Sequence, residues 1–415
     1  MQALSRRDAL KIIEALKRGT PPPPPLARYL HVGRSRWIDG MAWYLDAARE
    51  DELSAVRFIV GDYGSGKTHF LRVTAHLAYE RSFVVSEVAL DKDVRLDRFD
   101  TVWRKLLENL TIGWSTDDKS GIEYILMRWC ARVEAEERLT DELVALDYLT
   151  GLDPDFRQAV RGYLREWMTY RESTAGLTPY LQWFKGDPIR PPGIRARIDR
   201  ASSRAMLRSL VVFLRYLGYS GLVLFLDEIE LLLTQRPSVR NGSYEVLRQF
   251  IDDTESIPSL VMLCSLTEQA LQDNRSGIPS YPALNQRIGG LLTGFSPRDY
   301  RSVTVNLNRL PLEPHELFEL AQRIRDVHAL AHSWNAAERV PDEVLKSFAE
   351  RASRTVEVPT PRFLVQLTVI VLESAQQNLD VPLEKLIPSD ADVVSIVRAA
   401  ERERYASWDV SHDDF

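Results

Sequence analysis

One octapeptide constrains this chain more than any other feature. Gly61-Asp62-Tyr63-Gly64-Ser65-Gly66-Lys67-Thr68 satisfies G-x-x-x-x-G-K-[ST], directly after the apolar run Val56–Val60 and where a helix starts near Lys67. Glycines at those positions let the loop wrap, so that backbone N–H groups and the positive end of the following helix face a phosphate. Lys67 is then placed to reach the β- and γ-phosphates, and the Thr68 hydroxyl to hold Mg²⁺. The expected ligands are ATP and Mg²⁺.

Four further apolar runs, Phe83–Leu90, Leu222–Leu226, Leu260–Ser265 and Ser302–Leu307, read as buried parallel strands. Helical patterns separate them, which predicts an α/β fold with a parallel five-stranded sheet. From Pro311 the strand signal stops, and helices are expected over 314–333, 341–353 and 360–376. Lys67 and Asp227 lie 160 residues apart, about twice what a second strand and its helices need at roughly 30 residues per βα unit. Residues of about 103–200 supply a helical insertion, with patterns at Trp103–Leu110, Ile122–Arg132, Glu142–Leu149 and Asp155–Arg171. The expected division is an N-terminal helix and stiff proline spacer (1–25), a nucleotide-binding α/β domain (26–310), a helical lid (311–376) and a helical tail (377–415).

The third strand ends in Asp227-Glu228, two carboxylates where a central strand leaves the core. Asp227 is placed to support the metal. Glu228 is placed to polarise the attacking water, because phosphoryl transfer to water needs an oriented nucleophile.

These residues resemble the AAA+ class of P-loop ATPases, within it the initiator-like group related to origin-recognition proteins. His31-Val32-Gly33-Arg34 looks like the initiator segment that closes over adenine, which adds Gly33 and Arg34, with His69 of the P-loop helix, to the expected nucleotide contacts. Ser265, with Thr267 two residues on, falls where that class keeps a polar sensor of the γ-phosphate. Arg362, in Thr360-Pro361-Arg362, looks like the second sensor, reaching ATP from the lid. Arg287 falls at the arginine-finger position, with Arg275 competing; such a finger acts on a neighbour's ATP, which implies a ring or open-spiral homo-oligomer.

A closer likeness is to ATP-binding proteins of bacterial phage-exclusion (BREX) systems, the BrxD-like group. It is carried by Gly61–Arg72, Phe83–Val88, Leu217–Leu222 leading into Asp227-Glu228, and Leu310–Leu312. The resemblance implies an ATPase acting on or loading onto DNA in phage defence, beside partners such as a helicase or methyltransferase. The alternative is a nucleotide-gated protein-assembly switch with slow turnover and no nucleic-acid contact.

Composition adds limits. A hydrophobic fraction of 45% and a charged fraction of 27% exclude a disordered or disulfide-scaffold chain, and Cys130 and Cys264 lie apart in apolar runs. No apolar stretch approaches the roughly 18 residues of a membrane helix, so no membrane contact and a cytoplasmic setting are expected. The formal charge of -6 conceals a basic segment: from Lys185 to Arg215, eight basic residues face only Asp187 and Asp199. Arg197, Arg200, Arg204, Arg208 and Arg215 recur at helical spacing, a face that suits a phosphate backbone; the alternatives are a solvated helix face or an inter-subunit contact with acids such as Asp252, Asp253 and Glu255. Trp103, Trp114, Trp129, Trp167 and Trp183 read as core rather than base-stacking residues. His328 and His332 stand i, i+4 as zinc pairs do, but no third ligand accompanies them in sequence.

Overall fold

The computed structural model describes residues 4–113, 120–169, 176–253, 256–290, 298–355, 358 and 360–409. Trp114 and Glu255 therefore lie outside the described residues. The five apolar runs form strands β1 (Ala55–Val60), β2 (Val84–Ala89), β3 (Leu222–Asp227), β4 (Leu260–Leu266) and β5 (Thr304–Asn306). They pair in the order β2-β3-β4-β1-β5, every pair parallel. β5 is half the expected length.

Both faces of the sheet are covered, and the period-2 alternation of the strands shows how. Val56, Phe58 and Val60, with Leu222, Leu224, Leu226, Met262 and Cys264, point into one apolar cluster. Ile59, Val223, Phe225, Val261 and Leu263 point into the other, against the helices Ser35–Glu50 and Lys67–Glu80.

The insertion is built into the first cluster rather than appended to the domain. Helices Phe99–Glu108, Gly121–Ala135, Leu139–Tyr148, Pro154–Thr169 and Thr178–Phe184 fill the chain between β2 and β3 and share that core. Trp103, Trp129 and Trp183 are buried there, and each indole N–H has an oxygen partner: Phe184 O at 2.7 Å, Glu142 Oε1 at 2.7 Å and Ala196 O at 2.8 Å. The half-buried Trp167 donates to Glu134 Oε2 at 3.0 Å. Satisfied, buried indoles are core residues, not stacking platforms. Both cysteines are buried and free.

A third apolar cluster holds the C-terminal helices Pro314–His332, Asp342–Arg354 and Thr360–Gln377, and also the N-terminal helix Arg6–Lys17. Ala9, Ile12, Ile13 and Leu16 of that first helix pack among residues more than 300 positions away. The proline run is packed: Pro22 and Pro24 are buried, and Pro24 opens a short helix, Pro24–Ala27, which lies against the helix Lys67–Glu80.

Candidate functional site

The parallel register places the C-terminal ends of β1, β3 and β4 along one edge of the sheet. Val60 pairs with Leu266 and Leu226 with Cys264, so Gly61, Asp227 and Thr267 emerge together. Ligands of open α/β sheets bind at this edge.

The loop after β1 depends on its glycines. Gly64 (φ +78°) and Gly66 (φ +101°) lie in the left-handed region that side-chain-bearing residues avoid. A Cβ on Gly64 would also stand 2.7 Å from the Arg362 side chain. The loop opens the helix Lys67–Glu80. Lys67 is buried, its ammonium donating to Gly61 O at 2.6 Å and lying 3.6 Å from Glu230 Oε1.

At the end of β3, the Thr68 hydroxyl stands 3.5 Å from Asp227 Oδ2. Glu228 has φ +63°, a left-handed conformation that turns the chain sharply after Asp227. Its backbone N–H donates to Asp227 Oδ1 at 3.0 Å and to Ser265 Oγ at 3.4 Å. Thr68 and Asp227 thus offer hard oxygen donors side by side, the donor chemistry that suits Mg²⁺.

One cavity unites these groups. It is lined by Lys67, Thr68, Asp227 and Glu228 from the sheet edge and by Arg362 and Gln366 from the helix Thr360–Gln377. Leu16, Thr20 and Pro22 close it from the N-terminal segment. The cavity thus joins the P-loop and the end of β3 to apolar residues such as Leu16, Leu312 and Val365, from segments at both ends of the chain.

The remaining expected residues divide. Tyr63, Gly64, Ser65, Gly66, His69, Arg34 and Arg362 line the cavity. Arg34 spans backbone carbonyls, donating to Ser65 O at 3.0 Å, Leu310 O at 3.1 Å and Leu307 O at 3.3 Å. It braces the P-loop against the exit of β5, and burial brings its guanidinium down to about 10. Gly33 beside it has φ +60°, a left-handed conformation that favours glycine, and a Cβ there would push the Glu316 carboxylate aside. Asp62 has its N–H held by Asn308 Oδ1 at 3.0 Å.

His31 and His69 stack at 5.6 Å. Burial first, then neighbouring positive groups, lowers both imidazoles, His31 to about 4 and His69 to about 3, so both rings are neutral at neutral pH.

Ser265, the expected γ-phosphate sensor, stands behind the Asp227-Glu228 turn. It is buried in β4 and its hydroxyl donates to Asp227 Oδ1, so its partner is a carboxylate and not the cavity. Thr267 has a buried hydroxyl without a hydrogen-bond partner at the same sheet edge. Arg287 is bound within the chain, to Asp252 and to Ala283 O at 2.6 Å, whereas Arg275 is exposed.

The basic face is also rearranged. The helix begins at Ser203, so Arg197 and Arg200 lie in the preceding loop, where they still line one pocket with Arg204. The letters kept helical spacing, but Asp199 and Ser202 bond the backbone at residues 199–202 into a turn. Arg204 pairs with Asp253 at 2.5 Å and donates to Gln249 at 2.6 Å, while Arg197, Arg200 and Arg208 are exposed.

Sequence reasoning missed Glu230. This buried carboxylate, raised by desolvation, faces Lys67 across 3.6 Å. Its signal was present as the second acid after Asp227, one residue beyond Ile229.

Among solved structures, the chain is similar to a Walker-type ATPase of Pyrococcus abyssi (12% identity, TM-score 0.39), over 91% of this chain and 76% of that one. It is similar to the Aeropyrum pernix ORC1 protein in complex with DNA (13%, TM-score 0.40, 89% and 65%) and to Drosophila ORC bound to DNA (12%, TM-score 0.37, 91% and 65%). The chain spans just under two thirds of the length of the latter two. No curated protein matches the sequence significantly. No helix among the described residues is long and apolar enough to cross a membrane. The model of the family described as BREX system ATP-binding protein BrxC/D matches residues 4–391, nearly the whole sequence, and the chain belongs to that family.

Proposed function

We propose that this ATP-binding protein hydrolyses ATP and uses the cycle to change how its C-terminal helices sit on the nucleotide, within a phage-defence system. The observation that carries the reading is the convergence of Lys67, Thr68, Asp227 and Glu228 with Arg362 on one cavity. Lys67 and the loop N–H groups would hold the β- and γ-phosphates. Thr68 and Asp227 would hold Mg²⁺, which when bound neutralises phosphate charge. The carboxylate of Glu228 orients a water and takes its proton as the oxygen attacks the γ-phosphorus and the bond to the β-phosphate oxygen breaks. Arg362, carried on another body of the chain, makes the grip sensitive to whether the γ-phosphate is present.

For a finger acting on a neighbouring subunit we favour Arg275, because it is exposed while Arg287 is tied to Asp252. A homo-oligomer formed on ATP follows from that role. DNA is the proposed target through Arg197, Arg200 and Arg208, which are exposed and basic. A second reading, a nucleotide-gated protein-assembly switch, is favoured by the Arg204–Asp253 pair, which removes one cation from that face.

Phosphate release and nucleotide binding test the core of the proposal together. Lys67→Ala should lose ATP binding, and Glu228→Gln should bind ATP while turnover falls by about 10²–10⁴. Normal hydrolysis by Glu228→Gln would exclude the assignment. ATP-loaded protein that ignores duplex and single-stranded DNA at low salt would favour the switch.

A further inference from the structure

Outside the nucleotide cavity, three buried polar atoms converge without hydrogen-bond partners: His328 Nε2, His332 Nε2 and Glu373 Oε1. The histidines stand one turn apart near the end of the helix Pro314–His332, and Glu373 comes from the facing helix Thr360–Gln377. Tertiary packing thus supplies the third ligand that the sequence lacked. We infer that His328, His332 and Glu373 form a divalent metal site of the zinc class.

Distances support this assignment. Glu373 Oε1 lies 3.4 Å from His328 Nε2 and 3.5 Å from His332 Nε2, too long for good hydrogen bonds. A tetrahedral zinc ion with ligands at about 2.0–2.1 Å holds its donor atoms about 3.3–3.4 Å apart. All three donor atoms lie within 4.8 Å of one another. Two imidazoles and one carboxylate are a zinc-type donor set that leaves a fourth position for water.

The surroundings resemble an outer shell. Glu373 Oε2 accepts from Gln377 at 3.2 Å and pairs with Lys17 at 3.5 Å, which leaves Oε1 alone to face the histidines. His328 is fully buried, so its ring is held by packing. One contact opposes the metal: Trp334 Nε1 donates to His328 Nδ1 at 3.0 Å. A neutral imidazole that accepts at Nδ1 carries its proton on Nε2. Metal at Nε2 therefore requires the other tautomer, with the proton on Nδ1, where it displaces the Trp334 indole N–H. This gives the proposal a signature that a packing role lacks.

The test uses the full chain, stripped with a chelator and titrated with Zn²⁺, and in parallel with Co²⁺ as a visible probe, in excess Mg²⁺. One equivalent of Zn²⁺ and tetrahedral Co²⁺ bands are expected. His332→Asn and Glu373→Gln should each weaken Zn²⁺ binding at least about tenfold, and Trp334→Phe should tighten it about tenfold. Retained ATP binding and circular dichroism establish that each variant folds. Folded parent protein without stoichiometric Zn²⁺ binding, or folded His332→Asn and Glu373→Gln binding as the parent does, overturns the site. Unchanged or weaker binding by folded Trp334→Phe overturns it as well.

Discussion

Ser265 donates its hydroxyl to Asp227 Oδ1 between the C-terminal ends of adjacent strands β4 and β3. The register makes the pair: Leu226 opposes Cys264, and one residue further the serine meets the carboxylate. A buried carboxylate with a fixed donor keeps its free oxygen, Oδ2, turned toward Thr68 at 3.5 Å. Ser265→Ala should therefore lower ATP turnover about 10–100-fold while nucleotide binding survives, the usual cost of losing an orienting partner behind a metal-holding group, the role proposed for Asp227. Steady-state phosphate release against ATP and Mg²⁺ concentration measures it, and parental turnover would reduce the contact to packing.

Gly64 of the loop after β1 faces Arg362 of the helix Thr360–Gln377. A Cβ would stand 2.7 Å from Arg362 Cδ and 2.9 Å from its Cβ, on a backbone at φ +78°. Gly64→Ala should weaken ATP binding at least about tenfold, combining the collision with a left-handed penalty of about 1–2 kcal/mol. Adding Arg362→Gly removes both clashing atoms, Cδ and Cβ, and leaves the backbone penalty. Titration calorimetry of the single and double variants should therefore show non-additive losses.

The stacked histidines predict an acid limb in stability. Unfolded, each imidazole titrates near 6.5, but folded His31 stays neutral to about 4 and folded His69 to about 3. A depressed folded value contributes stability above the unfolded pKa that is lost as pH falls through the folded one. Stability without nucleotide should decline from about pH 6.5 toward 3, and His31→Gln with His69→Gln should flatten that decline in denaturant titrations.

Arg204 and Arg208 set a paired cation beside an exposed one on the same helix. Arg204 is committed to Asp253 and Gln249 and lies over the Phe250 ring at 5.3 Å. Arg204→Ala should cost about 0.5–1 kcal/mol of stability, as partly exposed ion pairs do. Arg208 is exposed. Arg208→Ala should leave the melting temperature unchanged and reduce the salt slope of DNA binding by about one.

What this sequence determined by itself was local. The P-loop announces itself because its chemistry needs contiguous residues: glycines to turn, a lysine and a threonine at the helix start. The Asp227-Glu228 pair reads off a strand end for the same reason, and the five strands are visible because burial on both faces leaves uninterrupted apolar runs. Tertiary structure decided everything that depends on distant segments meeting. It brought Leu16 and Arg362 to one cavity, set Ser265 on Asp227 and not on the cavity, and tied Arg287 to Asp252. It paired Arg204 with Asp253 and delivered Glu373 to His328 and His332. Periodicity shows which face of a helix is buried, but not which partner buries it, and a charge or ligand pair is defined by that partner.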